Sequence, residues 1–248
     1  MNQILNEVRE RAVKVWKQEN MLDRSVRVFT GPLNVKEAIG NPEGDDFPIQ
    51  QGKERLMEAG FGDARGQAFT DDFGAHSATL GEIAQLPFDS NFNRAVFVAA
   101  FNAAMCSLGR AGNTVHCRDQ GPHECSLALP GYLRGEYGEP RITLVGFQPA
   151  MIEAVNAHFK LRVLDLDPDN VGQIKRGVLV EGPDTAAEAL AWADLLMITG
   201  TTLANGSIDD FIDLSGKAKN GADVLFYGTT IAAAAELMGW PRFCPMSS

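Results

Sequence analysis

Apolar and polar residues alternate with two different periods along this chain, and the pattern changes near its middle. Over residues 1–18, Leu5, Val8, Ala12, Val13 and Trp16 recur between charged residues at helical spacing, which predicts an amphipathic helix. Residues 25–30 alternate as a strand does and run into Gly31-Pro32. The stretch 31–52 is rich in Gly, Pro, Asn and Asp and reads as loop with a short strand or turn. Residues 55–61 and 66–70 flank the turn Gly62-Asp63-Ala64 and predict a hairpin. Ser77 is placed to cap a helix over 78–86 that Pro87 stops. Asn91 or Asn93 can cap a longer helix running to Leu108, where Gly109 and Gly112 end it.

From about residue 121 the pattern becomes a regular alternation. Helices are predicted over 124–137, 150–159, 185–192, 208–217 and 232–238. Between them lie short strands over 141–145, 162–166, 194–198 and 223–226. Strands that alternate with helices at this spacing form βα units and a parallel sheet. Their richness in Val, Ile and Leu suits strands buried on both faces. The expected fold class is therefore α/β: an α+β domain over 1–120, then a parallel-sheet domain over 121–248, with the boundary within 110–125.

The ends of these strands share a shape. Leu195-Leu196-Met197-Ile198 runs into Thr199-Gly200-Thr201-Thr202-Leu203-Ala204. Val224-Leu225-Phe226 runs into Tyr227-Gly228-Thr229-Thr230-Ile231-Ala232, with the two glycines 28 residues apart. Ile142-Thr143-Leu144-Val145 runs into Gly146-Phe147-Gln148-Pro149. Strand, glycine, small polar residues and helix start are how open α/β sheets build a ligand crevice at their carboxyl edge. Thr199, Gly200, Thr201, Thr202, Asn205, Gly228, Thr229 and Thr230 offer hydroxyls and backbone N–H groups to a polar ligand. In the alternative, Thr202 and Thr230 cap helices. The glycines of a dinucleotide fingerprint and a Walker A lysine are both missing from the Gly146 loop. Asp165 nevertheless follows Gly146 by 19 residues, close to the spacing at which an acid holds a ribose hydroxyl. Otherwise Asp167 caps the turn at Pro168 and Asp165 is a polar strand end.

Composition narrows the function. A hydrophobic content of 45% provides a core, and a net charge of −10 argues against a nucleic-acid partner or an anionic membrane surface. No apolar run has the length of a membrane span, and the first helix lacks the apolar core and cleavage site of a signal peptide, so a cytoplasmic location is expected. The four cysteines, Cys106, Cys117, Cys125 and Cys244, are too sparse for a disulfide scaffold. Cys106 reads as core. His116, Cys117, Asp119, His123, Glu124 and Cys125 fall together, and imidazole and thiolate are ligands of transition and heavy metals. The C-x7-C spacing matches no standard zinc pattern, and the alternative is a Cys117 buried at the domain junction with Cys125 facing the core.

Taken together, several segments resemble the family described as putative heavy-metal chelation, formerly a domain of unknown function. They are Gly66-Gln67-Ala68-Phe69-Thr70, Phe101-Asn102-Ala103, His116-Cys117-Arg118-Asp119 with Cys125, the Gly146 loop, Asp165-Leu166-Asp167, both Gly-Thr-Thr loops, and Arg242-Phe243-Cys244. The resemblance implies an N-terminal domain like the small domain of enolase, a Rossmann-like domain, and a ligand site in the cleft between them. On that basis His116, Cys117 and Cys125 are the expected metal ligands. Gly146, Gln148, Asp165, Asp167 and the two Gly-Thr-Thr loops form the polar wall around a small molecule or metal chelate. A homo-oligomer is compatible with this. The competing expectations are an enzyme that binds a nucleotide or an S-adenosylmethionine-like cofactor, and a non-catalytic partner of a transporter or metalloenzyme.

Overall fold

The apolar periodicities become two sheets in the computed structural model, which describes residues 2–28, 33–42 and 46–248. Helix α1 (Gln3–Gln18) buries Ile4, Leu5, Val8, Ala12 and Trp16, close to the predicted stripe. Strand β1 (Ser25–Val28) follows; its expected end at Thr30 and Gly31-Pro32 lies outside the described residues. The expected loop contains a short helix, α2 (Val35–Ile39), because Asn34 and Glu37 cap each other's backbone N–H groups. Strands β2 (Arg55–Phe61) and β3 (Ala64–Thr70) form the predicted hairpin, with Arg55 opposite Thr70.

The helix expected over 78–86 is corrected. Ser77 lies in strand β4 (His76–Thr79), opposite Arg27 of β1, and Thr79 caps the short helix α3 (Leu80–Ile83). Thr79 prevails because Glu82 stands three residues on and closes a reciprocal cap, which Ser77 lacks. The first sheet is antiparallel in the order β3-β2-β1-β4. Helix α4 (Asn91–Ser107) crosses it; its cap is Ser90, whose hydroxyl accepts from the Asn93 N–H at 3.1 Å. Every residue from Arg94 to Met105 is buried, so this helix lies inside the molecule rather than on its surface. Cys106, one residue on, is only half-buried. Helix and sheet meet so closely that a Cβ at Gly66 would sit 2.1 Å from the Ala103 nitrogen.

The second half runs α5 (Gly121–Tyr137), β5 (Ile142–Val145), α6 (Pro149–Asn156), β6 (Leu161–Leu164), β7 (Ile174–Lys175), β8 (Val178–Glu181) and α7 (Ala186–Trp192). It continues through β9 (Leu195–Thr199), α8 (Thr201–Asn205), α9 (Ile208–Phe211), β10 (Asp223–Tyr227), α10 (Ala232–Met238) and β11 (Arg242–Phe243). The sheet order is β11-β10-β9-β5-β6-β8-β7, parallel except for β7 against β8. The pair β7–β8 and the edge strand β11 were not foreseen. The helix expected over 208–217 is also corrected: it stops at Phe211. Asp213 takes the backbone N–H groups of Ser215 (2.8 Å) and Lys217 (3.3 Å) into a turn, so its side chain competes with the helix for the backbone.

One apolar cluster runs from α1 and the first sheet through α4 into β9, β10 and α10. A second lies on the other face of the large sheet, under α5 and α6. From β5 the chain proceeds to β6 on one side and later returns to β9 on the other. Adjacent β5 and β9 thus mark the switch point, where an open sheet leaves a crevice at its carboxyl edge. Among the described residues, no helix is long and apolar enough to cross a membrane.

Candidate functional site

A cavity of about 840 Å³ opens at that edge, between the loops of the parallel sheet and the β2–β3 hairpin. Its floor is made where β5, β9 and β10 end. Gly146 has φ +96°, and a Cβ there would lie 2.7 Å from Thr199 Cγ2 and 3.1 Å from the Tyr227 hydroxyl, so both dihedral and space demand glycine. The Tyr227 hydroxyl donates to the carbonyls of Val145 (2.9 Å) and Gly146 (3.0 Å), tying two loops together. Burial pushes this phenol far above its ordinary value, so it stays a donor.

The acids after β6 are structural as well as cavity-lining. Asp165 accepts from the N–H groups of Phe147 (2.6 Å) and Asp167 (2.7 Å), so each oxygen already holds a backbone donor. Burial raises its pKa, and those two hydrogen bonds oppose the rise. Asp167 accepts from the Asp169 N–H at 3.0 Å and pairs with Lys53 at 3.2 Å; Lys53 also bonds Asp169. Gln148 turns its side chain to the Met151 N–H (2.7 Å) and caps α6.

The two Gly-Thr-Thr loops divide the work. Thr199 and Thr201 keep their hydroxyls near each other at 3.3 Å, and Thr202 donates to the Thr199 carbonyl at 2.8 Å. Asn205 accepts from Ser207 N–H (3.0 Å) and Oγ (2.7 Å). Thr230 accepts the Phe69 N–H at 3.0 Å, which fastens β3 to the second loop. Neither Thr202 nor Thr230 caps a helix with its side chain. All the expected site residues line the cavity except Thr229, whose hydroxyl is buried with no partner among the described residues.

On the hairpin side, the His116 N–H donates to Gln67 Oε1 at 2.7 Å, and its ring stands edge-on to Phe69 at 5.2 Å. Nδ1 lies 2.5 Å from the Cys117 carbonyl, which places the proton on Nδ1 and leaves Nε2 with its lone pair. Burial lowers the imidazole pKa to about 4, so the ring is neutral at pH 7. Cys117 donates to Cys125, and Met246 adds a backbone N–H. The first thiolate of this pair therefore forms on Cys125, lowered to about 7 by the Cys117 hydrogen bond, while Cys117 is pushed up by the same bond and by burial. Cys244 joins them from the chain beyond β11 and accepts from Ser247 Oγ at 3.1 Å; burial raises its pKa. Among the described residues, no three His, Cys, Asp or Glu side chains stand together as a ready coordination set.

Sequence reasoning missed Lys53, Glu54, Asp71 and Tyr227, and gave Cys244 no place in the site. Lys53-Glu54-Arg55 looks like a solvated charge run, and only the fold carries Glu54 into the cleft. Burial, with Asp165 and Asp71 nearby, pushes the Glu54 carboxyl up to about 7.

The fold and site define a two-sheet α/β protein with a largely apolar cleft that carries acids and thiols, at the switch point of its parallel sheet. Residues 132–238 match the model of the DUF364 family, described as putative heavy-metal chelation. Two solved DUF364 proteins of unknown function share the fold. The one from Pyrococcus horikoshii is 14% identical, with a TM-score of 0.53 over 92% of this chain and 79% of its own. The one from Desulfitobacterium hafniense DCB-2 is 12% identical, with a TM-score of 0.57 over 94% and 82%. No curated protein matches the chain.

Proposed function

We propose that the cleft binds a transition or heavy metal held in a small-molecule chelate, with His116, Cys117 and Cys125 as the protein's own donors. The observation that carries this reading is the charge of the lining. Glu54, Asp71, Asp165, Asp167 and Asp210 face the cavity with Lys53 as the opposing charge, and Lys53 is already paired with Asp167 and Asp169. Such a cavity attracts cations and repels phosphates. Its volume suits an organic ligand rather than a bare ion.

The donor set fits a soft or borderline metal. His116 is neutral with Nε2 unprotonated, and Cys125 reaches the thiolate near neutral pH. A bound metal would supply Lewis-acid or ligand-exchange chemistry. This chain's residues hold the imidazole tautomer through the Cys117 carbonyl and stabilise the Cys125 thiolate through Met246 N–H. In this reading the cleft lies between an enolase N-terminal-like domain at 1–120 and a Rossmann-like domain at 121–248.

Calorimetric titration with cadmium alone, and with the cationic cadmium–ethylenediamine complex, tests the assignment. The double variant C117S/C125S should weaken both by at least tenfold, and H116Q should weaken them less. Unchanged affinity in C117S/C125S would remove the thiols from the site. The competing reading, an enzyme with a nucleotide or S-adenosylmethionine-like cofactor, draws support from the crevice between β5 and β9. For it, a thermal-shift screen is decisive: a cofactor at 100 times its Kd stabilises by about 2.7 kcal/mol.

A further inference from the structure

Glu54 differs from the other acids of the cleft. Asp165 holds two backbone N–H groups, Asp167 holds one and a lysine, and Asp71, exposed at the mouth, accepts from Asn91 Nδ2 at 2.6 Å. The Glu54 carboxyl lines the cavity and receives no hydrogen bond from any described residue. The residue is only half-buried, so in the free protein the solvent supplies those donors, and a ligand that enters the cleft must replace them.

The neighbours of Glu54 say what those donors carry. The pairing of Arg55 with Thr70 sets Glu54 beside Asp71, one residue beyond the end of each strand. Asp165 faces it from the loop after β6, and the neutral Tyr227 phenol from β10. Lys53, next in the chain, is turned to Asp167 and Asp169, and Arg55 lies over the Phe73 ring, 5.7 Å from its centre. Two further carboxylates flank Glu54, and the adjacent cations are turned to other partners, so an anionic group gains little here. A cationic donor gains from all three carboxylates at once.

The His116 side of the cleft is a separate pole. Phe69, which packs on His116, and Asp71 lie two residues apart, roughly 7 Å along an extended chain. A ligand can therefore touch the soft donors with one part and Glu54 with another.

We propose that Glu54, supported by Asp71 and Asp165, is the receptor for a cationic N–H-bearing group of the ligand, either a protonated amine or an amine bound to the chelated metal. This rests on the reading of the cleft as the ligand site, and it adds the chemical class of the ligand's second contact. Because binding favours the ionised carboxylate, the affinity for such a group rises as Glu54 loses its proton near neutrality.

Hexaamminecobalt(III) is a suitable probe. It is substitution-inert, presents only N–H groups, and cannot bind through thiols. Calorimetric titration of the full chain at pH 8 should show one preferred site. E54Q should weaken it at least tenfold, whereas C117S/C125S should leave it unchanged. For the wild-type protein the affinity should fall severalfold from pH 8 to pH 6, and that fall should vanish in E54Q. E54D, which keeps the charge on a shorter arm, should bind between the two; it decides the matter should E54Q melt early. Wild-type affinity in both E54Q and E54D, or no binding by the wild-type protein, would overturn the proposal. Cadmium binding separates the two readings. If C117S/C125S fails to weaken cadmium while E54Q still abolishes the cobalt site, the thiol assignment falls and this one stands.

Discussion

The two Gly-Thr-Thr loops are near copies in sequence and unlike in what holds them. Gly200 has ordinary helical dihedrals (φ −61°, ψ −20°). It must be glycine because a Cβ would lie 2.6 Å from the Ile231 nitrogen, in the backbone of the other loop. Gly228 has open space around it and must be glycine because its φ is +89°. The threonines differ as well. Those of the first loop bond within that loop, at the cavity wall. In the second loop, Thr230 accepts from Phe69 of β3, and the carbonyls of Thr229 and Thr230 accept from Asn102 of α4. The first loop lines the cavity; the second also clamps the parallel sheet to the first half of the chain. Repetition of a strand-end motif thus reports a shared place at the edge of the sheet, and the partners decide its use.

The sharpest way to break this contrast is Asn102→Ala. The fully buried Asn102 amide also donates to the Gln67 carbonyl (2.8 Å), while its oxygen accepts from the Ala233 N–H (2.9 Å). Truncation leaves several buried backbone groups without partners, at a cost of about 3–5 kcal/mol. Chemical denaturation should show that loss, and hydrogen exchange should show faster opening at Phe69 and Ala233 than at Thr202. Equal loosening of both loops would mean that neither is a clamp.

How far such roles could be read beforehand depends on whether a residue's signal is local. The strand ends at Val145, Thr199 and Tyr227 were legible to within one residue because short apolar runs stopping at glycine carry their own evidence. The helix cap at Thr79 was not, since Ser77 offers the same chemistry and only pairing with β1 removes it. The stop at Phe211 depended on one aspartate choosing a turn over a helix. His116, Cys117 and Cys125 stood out as a cluster of rare residue types, while Cys244 reaches them only through the fold. Glu54 had no signal at all, because its character comes from burial beside Asp71 and Asp165.

The clamp has a cost that Glu54 exposes. By fastening β3 it holds an acidic wall in a place where charge is poorly solvated. The Glu54 carboxyl, near 4.5 when unfolded, titrates at about 7 in the folded chain. The folded state thus binds more protons between those values. Its stability is full below about pH 4.5 and declines as pH rises through 7. E54Q should therefore match the wild-type protein at pH 5 and exceed it at pH 8, by about 2–3 kcal/mol at most. Denaturant midpoints at the two pH values measure this. A variant no more stable at pH 8 would mean that the wall carries no strain for the clamp to oppose.

The two glycines offer the finest test of the contrast. Gly200→Ala drives a methyl into backbone, not into a flexible side chain, so the second loop must shift; about 2–3 kcal/mol is expected. Because Ile231 immediately follows Thr230, the shift pulls on the Phe69 contact. Gly228→Ala meets nothing, and costs only what a positive φ imposes on an L residue, about 1–2 kcal/mol. The same substitution in the same motif should then have different structural consequences. G200A should raise hydrogen exchange at Phe69, whereas G228A should lower the Tm and leave exchange there near the wild-type rate. Equal exchange in the two variants would show that the first loop's glycine serves the same purpose as the second's, and that the motif marks one role after all.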